Sequence, residues 1–127
     1  MNASDNTLNW FEICVTDMPR AKKFYETIFG ITMQNWDMPG FEMVVFPADP
    51  GNGKVSGALV KSEMHTPSMD GSVIYLNGDP DLSAALDRVE AAGGKVLMPK
   101  THISDEIGYM AFFADSEGNR MALHSNH

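Results

Sequence analysis

The chain reads as an α+β domain of two tandem βαβββ modules, forming a paired, concave mixed sheet with a central cleft. Three observations predict it. Each half opens on a strand-like alternation, continues into one helix-like stretch closed by glycine, and then offers three shorter apolar runs. The second half repeats the order of the first, which marks an internal duplication. One amphipathic helix per half covers only one sheet face, so the other face must meet the partner half or stay concave around a ligand.

Taken in order, residues 1–7 are polar and include Asp5, which reads as a flexible tail and not as a signal peptide. Module 1 spans 8–61. Over residues 8–15, Phe11, Ile13 and Val15 alternate with Trp10, Glu12 and Cys14. The former go under the helix, and the latter face the cleft. Asp17 is placed to N-cap the helix and Pro19 fits its first turn; Ala21, Phe24, Tyr25, Ile28 and Phe29 fall at helical spacing, and Gly30 is a left-handed C-cap. Runs at 31–36, 41–46 and 55–61 follow as strands, divided by Met38-Pro39-Gly40 and by Pro50-Gly51-Asn52-Gly53, whose Asn-Gly predicts a tight hairpin.

Residues 62–71 contain Pro67 and no periodicity and form the connector. Module 2 spans 72–125. Residues 72–77 alternate as a strand, with Val73, Tyr75 and Asn77 sharing the cleft face. Asp79-Pro80 then starts a helix whose Leu82, Ala85, Leu86 and Val89 share one side and which Gly93-Gly94 ends. Strands are expected at 95–98, 109–114 and 120–124, with a turn at 115–119. Gly57-Ala58-Leu59-Val60 corresponds to Met121-Ala122-Leu123-His124 across the two halves.

Composition narrows the function. The 127 residues are 43% hydrophobic and 20% charged, which suits one globular domain and excludes a wholly disordered chain. A formal charge of −8 repels phosphate backbones and anionic lipid, so neither nucleic acid nor membrane is an expected partner, and cationic small molecules are favoured. The single Cys14 forms no internal disulfide, and no apolar run reaches transmembrane length, so a cytoplasmic location is expected. Ten methionines supply a pliable apolar surface; Met33, Met43, Met98 and Met110 are candidates for a pocket wall beside Trp10.

The two βαβββ modules, with Val15-Thr16-Asp17-Met18 leading into Ala21-Lys22-Lys23-Phe24-Tyr25-Glu26 and closing at Phe29-Gly30, resemble the vicinal oxygen chelate superfamily. Ala91-Ala92-Gly93-Gly94 and the stretch from Met110 through Asp115-Ser116-Glu117-Gly118-Asn119-Arg120 extend the resemblance over residues 8–125. That superfamily contains glyoxalase I, extradiol dioxygenases and bleomycin-resistance proteins. The resemblance implies four metal ligands, two His and two Glu, from the first and fourth strands of each module, and it carries them onto Trp10, Ala58, Val73 and Ala122. None of these side chains offers a donor pair to a divalent metal. No cofactor is therefore expected at the family's position, and glyoxalase I chemistry, which uses the metal to stabilise an enediolate, is disfavoured.

Two functions follow from the resemblance. The first is a metal-free small-molecule binder, a homodimer by analogy with its relatives, with Trp10, Cys14, Val73, Asn77, Lys100 and His102 as ligand contacts. Lys100 and His102 are expected on a loop after Met98-Pro99. The second is a lyase or isomerase in which Glu12, on the partly dry cleft face, acts as general base while Tyr75, Asn77 or His124 donates to a developing oxyanion. A divalent metal displaced onto Glu12, His124 and one of His102 or His65 stays open as an alternative, although His65, in the connector, reads as solvated. Cys14 reads as a packing residue and not a nucleophile.

Overall fold

The helix of the first half shows how local sequence sets local structure. In the computed structural model, which describes residues 1–49 and 51–127, α1 runs Met18–Phe29. The Asp17 carboxylate accepts from the Arg20 N–H at 3.1 Å, a proline sits in the first turn, and Gly30 closes the helix at φ +62°. Met18, Ala21, Phe24, Tyr25 and Ile28 are buried along one side.

Around α1 the first half forms β1 (Trp10–Cys14), β2 (Gln34–Asn35), β3 (Glu42–Val45) and β4 (Ser56–Lys61). The second half forms β5 (Tyr75–Asn77), α2 (Ser83–Leu86), β6 (Lys95–Ser104), β7 (Gly108–Ala114) and β8 (Arg120–Ser125). The two four-stranded sheets have orders β1-β4-β3-β2 and β5-β8-β7-β6, with the first and last strand of each half parallel and the other pairs antiparallel. The duplicated βαβββ plan and the α+β class are thus present, with mixed sheets.

Three local expectations are corrected. Asp79-Pro80 does not start the second helix: α2 begins at Ser83, and Asp79 instead accepts from the Asn126 N–H at 2.7 Å. After Leu86 the chain tightens into i→i+3 turns, Arg88 to Ala85 and Val89 to Leu86, yet Leu82, Ala85, Leu86 and Val89 are all buried as their spacing demands. The Asn52-Gly53 pair does not make a two-residue hairpin, because β3 ends at Val45 and β4 starts only at Ser56; Asn52 caps a local turn by accepting from the Lys54 N–H. Pro50, part of the same turn signal, lies outside the described residues. Finally, β6 runs straight past Pro99 to Ser104, accommodating the proline with register shifts between Met98 and Thr101, so Lys100 and His102 are strand residues and not loop residues.

Both sheets turn one face into a shared core. Ile13, Val44 and Leu59 of the first sheet, with Val15 just after β1, join Leu76, Ala111, Phe113 and Leu123 of the second through α1 and the buried side of the α2 segment; the Phe24 and Phe113 rings lie 6.1 Å apart. Each such fully buried large side chain contributes about 1.5–3 kcal/mol, so this is the main cohesion between modules. The opposite face of the first sheet carries a separate cluster of Met43, Ala58 and Val60 beneath Trp10, Phe41 and Val45.

A polar clamp closes the junction. The turn between β7 and β8 projects Asp115, Glu117 and Asn119 toward module 1. Tyr25 donates its buried hydroxyl to Asp115 Oδ2 at 2.6 Å, and Asn119 Nδ2 donates to the Cys14 carbonyl at 2.7 Å. Burial, then the Asp115 charge, pushes the Tyr25 phenol well above its usual range, so it stays a donor. Glu117 accepts from the N–H groups of Thr16 and Asp17, from the Thr16 hydroxyl, and from Arg20 Nε at 2.6 Å.

Candidate functional site

The face opposite the shared core is where the first sheet meets open space, and a tight turn shapes it. Pro39 and Gly40, the latter at φ +82°, bend the chain so that Met38 and Phe41 exchange backbone hydrogen bonds at 3.1 and 2.9 Å. This turn stands Met38 and Phe41 beside β1. Together with Trp10, Glu12, Trp36, Met43, Met64 and His65 they wall a cavity of about 540 Å³. Trp10 and Trp36 meet edge to face at 6.4 Å, and Trp36 remains 59% exposed, so its indole face is free for a ligand. A second cavity of about 610 Å³ shares Met38 and Phe41 and is lined further by Asp37, Glu42, Lys61, Ser62 and Glu63.

The polar groups of this region form a chain. Glu12 Oε1 lies 2.7 Å from His65 Nε2, and Ser62 Oγ lies 2.6 Å from His65 Nδ1. The Trp10 indole N–H points to the other Glu12 oxygen at 3.4 Å. An ionised Glu12 accepts from Nε2–H, which leaves Nδ1 as the acceptor for the Ser62 hydroxyl. His65 is therefore not a solvated connector residue: its side chain is only 15% exposed and packs edge-on against Phe41.

The other sequence candidates are distributed differently. Parity places Trp10, Glu12 and Cys14 on one face of β1 as expected, but Cys14 is half-buried outside the cavity walls, and burial, then the charges of Glu12 and Asp115, push its thiol up. Val73, Tyr75, Asn77 and His124 belong to the second module and line neither of the two cavities. There Tyr75 lies against Phe112 and Met110, and the His124 imidazole sits 2.6 Å from the Ile107 carbonyl. Lys100 and His102 flank Tyr109, engaged with Asp81 and Asp105 respectively, away from Trp10. Of the displaced metal set, the structure brings together Glu12 and His65 only; among the described residues no three His, Cys, Asp or Glu side chains gather as a metal-holding group.

The register tests whether the family's metal would fit. Glu12 pairs with Ala58 and Tyr75 pairs with Ala122, so Ala58 and Ala122 occupy equivalent places in the two modules, and Trp10 and Val73 each stand two residues before the residue that faces them. Ala58 and Ala122 are both fully buried, and Ala58 lies in the apolar cluster under Trp10. A methyl group, an indole and an isopropyl group do not make a donor set, so these residues do not fit a divalent metal.

Sequence patterns do not single out Trp36, Met38, Phe41, Met64 and Ser62 as site residues. Met33, a candidate wall residue, is in the shared core instead, while Met43 does line the cavity. Signals for the missing residues exist: Trp36 and Met38 precede a Pro-Gly turn, and Ser62 and His65 sit three apart just after a strand.

Comparison with known proteins agrees with this fold. A sequence profile of the Glyoxalase/Bleomycin resistance protein/Dioxygenase superfamily matches residues 7–123. A glyoxylase-like domain-containing protein of Didymella fabae is 34% identical over 119 residues, covering 91% of each chain. The anthracycline biosynthesis protein DnrV of Streptomyces peucetius is 30% identical over 128 residues, 90% of this chain and 45% of DnrV, so the chain spans about half of that relative. Among solved structures, glyoxalase I from Zea mays superposes with a TM-score of 0.67 at 19% identity over 92% of this chain and 45% of its own. TnmS3, an antibiotic binding protein from Streptomyces sp. CB03234, superposes at 0.63 with 20% identity over 98% of both chains.

Proposed function

Since the chain belongs to the Glyoxalase/Bleomycin resistance protein/Dioxygenase superfamily, we propose that it is a small-molecule binder that seats its ligand in the cavity at Trp10 without the family's metal. One observation carries the reading: apolar packing takes the place of the metal ligands, and the cavity above it is walled by two tryptophans, Phe41 and three methionines around a single carboxylate. Such a pocket suits a flat, largely apolar molecule bearing a positive charge, through indole faces, pliable thioethers and Glu12. Asp37, Glu42 and Glu63 against the single Lys61 extend the negative rim. The names of two relatives, one an antibiotic binding protein and one from anthracycline biosynthesis, support a polycyclic or drug-like ligand class.

Titration of the intrinsic tryptophan fluorescence with proflavine, a planar cation, should show saturable quenching, while anilinonaphthalene sulfonate, a planar anion, should bind far more weakly. Trp36→Ala should weaken proflavine about tenfold, in keeping with about 1–2 kcal/mol for a cation over an indole face. Equal affinity for the anion, or an unchanged Trp36→Ala, would refute the reading. Elemental analysis of protein purified without chelator should find no stoichiometric divalent metal.

The lyase or isomerase alternative needs a free Glu12, and it is weakened by the contacts that Glu12 makes with His65 and Trp10. We also infer a homodimer in a cytoplasmic setting. The outer face of the second sheet exposes Tyr75 to 50% beside Phe112 and Met110, an apolar strip that a second copy would cover. Sedimentation velocity should return twice the 14.0 kDa chain mass, and a monomer at micromolar concentration would remove this part of the reading. No described helix is long and apolar enough to cross a membrane.

A further inference from the structure

We propose that Ser62, His65 and Glu12 form a nucleophilic triad that gives the protein an acyl-ester hydrolase activity, separate from ligand binding at Trp36. Three features carry this. The imidazole is held at both nitrogens, by a carboxylate at 2.7 Å on one side and by a hydroxyl at 2.6 Å on the other. The carboxylate fixes the tautomer in which the nitrogen facing Ser62 is the base, the arrangement that activates a serine. Ser62 also lines the second cavity.

A local turn explains only part of this. The Met64 N–H donates to Ser62 Oγ at 3.0 Å, as in many serine turns, and such a turn needs neither His65 nor a glutamate 53 positions earlier in the chain. The same N–H stabilises negative charge developing on the Ser62 oxygen. Lys61 lines the same cavity and is the one cationic side chain among the described residues of its wall. Trp10 holds the second oxygen of Glu12, and Phe41 limits rotation of the imidazole.

The step balances without any further oxidant or reductant. Ser62 Oγ attacks the ester carbonyl as its proton passes to His65 Nδ1. The bond to the alcohol oxygen breaks, and the imidazolium returns that proton to the leaving oxygen. Water, deprotonated by the same nitrogen, then cleaves the acyl-serine, releasing a carboxylic acid and restoring the hydroxyl. Glu12 orients the imidazole and takes no proton in any step. The substrate class is a small neutral or cationic ester with an apolar body, because Asp37, Glu42 and Glu63 repel carboxylates at the cavity.

A fluorophosphonate probe, with the labelled residue located by mass spectrometry, tests the nucleophile directly, and 4-nitrophenyl acetate tests turnover. Ser62 should carry the label; Ser62→Ala should abolish it and lower hydrolysis about 100-fold or more. His65→Gln should do nearly the same, and Glu12→Gln should cost about 10- to 100-fold with an unchanged melting temperature. Should His65→Gln fail to fold, Glu12→Gln alone decides whether the imidazole is activated. Absence of label on Ser62, or hydrolysis undiminished in Ser62→Ala, overturns the proposal. Either result leaves proflavine binding and its Trp36→Ala control standing, so the two readings fail separately.

Discussion

Glu117→Ala should lower the free energy of unfolding by about 3 kcal/mol and the melting temperature by roughly 10 °C. The carboxylate is fully buried at the junction of the modules and accepts from two backbone N–H groups, a hydroxyl and Arg20. Its removal takes the carboxylate partner from the Thr16 and Asp17 N–H groups at the start of α1. Arg20 is half exposed and rehydrates, so the loss comes from the hydrogen bonds that the buried carboxylate accepts and not from a stranded charge. Calorimetry checks the size, and a shift under about 2 °C would show that the shared apolar core alone holds the modules.

The same group sets an acid limit. Burial by itself raises the Glu117 carboxyl, but the bonds from Arg20, Asp17 and Thr16 outweigh it and bring the group down to about 2 from an ordinary 4.5. A depressed folded value means that the unfolded chain binds the proton more readily. The stabilisation is therefore complete above about pH 4.5 and is lost progressively as pH falls toward 2. Glu117→Gln should flatten the part of the pH–stability curve between those values, measured as melting temperature against pH.

Ala58→Glu should destabilise by about 3 kcal/mol or more, and zinc or nickel should not restore the loss. Ala58 has no exposed surface and sits among Met43, Val60, Trp10 and Val45 directly opposite Glu12, so a carboxylate there is buried beside a like charge. In a protein that kept the rest of its family's ligand set, the same substitution would complete a metal site and added metal would stabilise it. Unfolding curves with and without metal separate the cases. Metal-dependent recovery of the single variant would show that Glu12 and His65 yield their present contact to a cation.

How far the fold is legible follows from range. The capping of α1 by Asp17 and Gly30, the parity of β1 and the repeated order of elements rest on interactions within a few residues, and all are readable. The second helix is shorter than its pattern suggests because Leu82, Ala85, Leu86 and Val89 bury the correct side whether the backbone is α-helical or made of tighter turns. Pro99 signals a strand end by its chemistry, yet the register shifts in β6 absorb it, a choice made by the partner strand β7.

The site is less legible for the same reason. Parity locates Trp10 and Glu12, but it is silent on what stands opposite a strand face. His124 and Tyr75 share the expected face of the second sheet and still lie outside the cavities at Trp10, since both sheets spend their helix-covered sides on one shared core. By itself the amino-acid order determined the duplicated modules, the faces of β1 and, at the positions that the family resemblance implies for a metal, side chains without donors, because each depends on periodicity or on side-chain chemistry. Only the tertiary structure decided that the connector folds back so that His65 meets Glu12 and Ser62, that Trp36 and Met38 become cavity walls, and that Glu117 clamps the halves. The contacts of Glu12 with His65 and of Glu117 with Asp17 cross 53 and 100 positions, held by packing that no local pattern encodes.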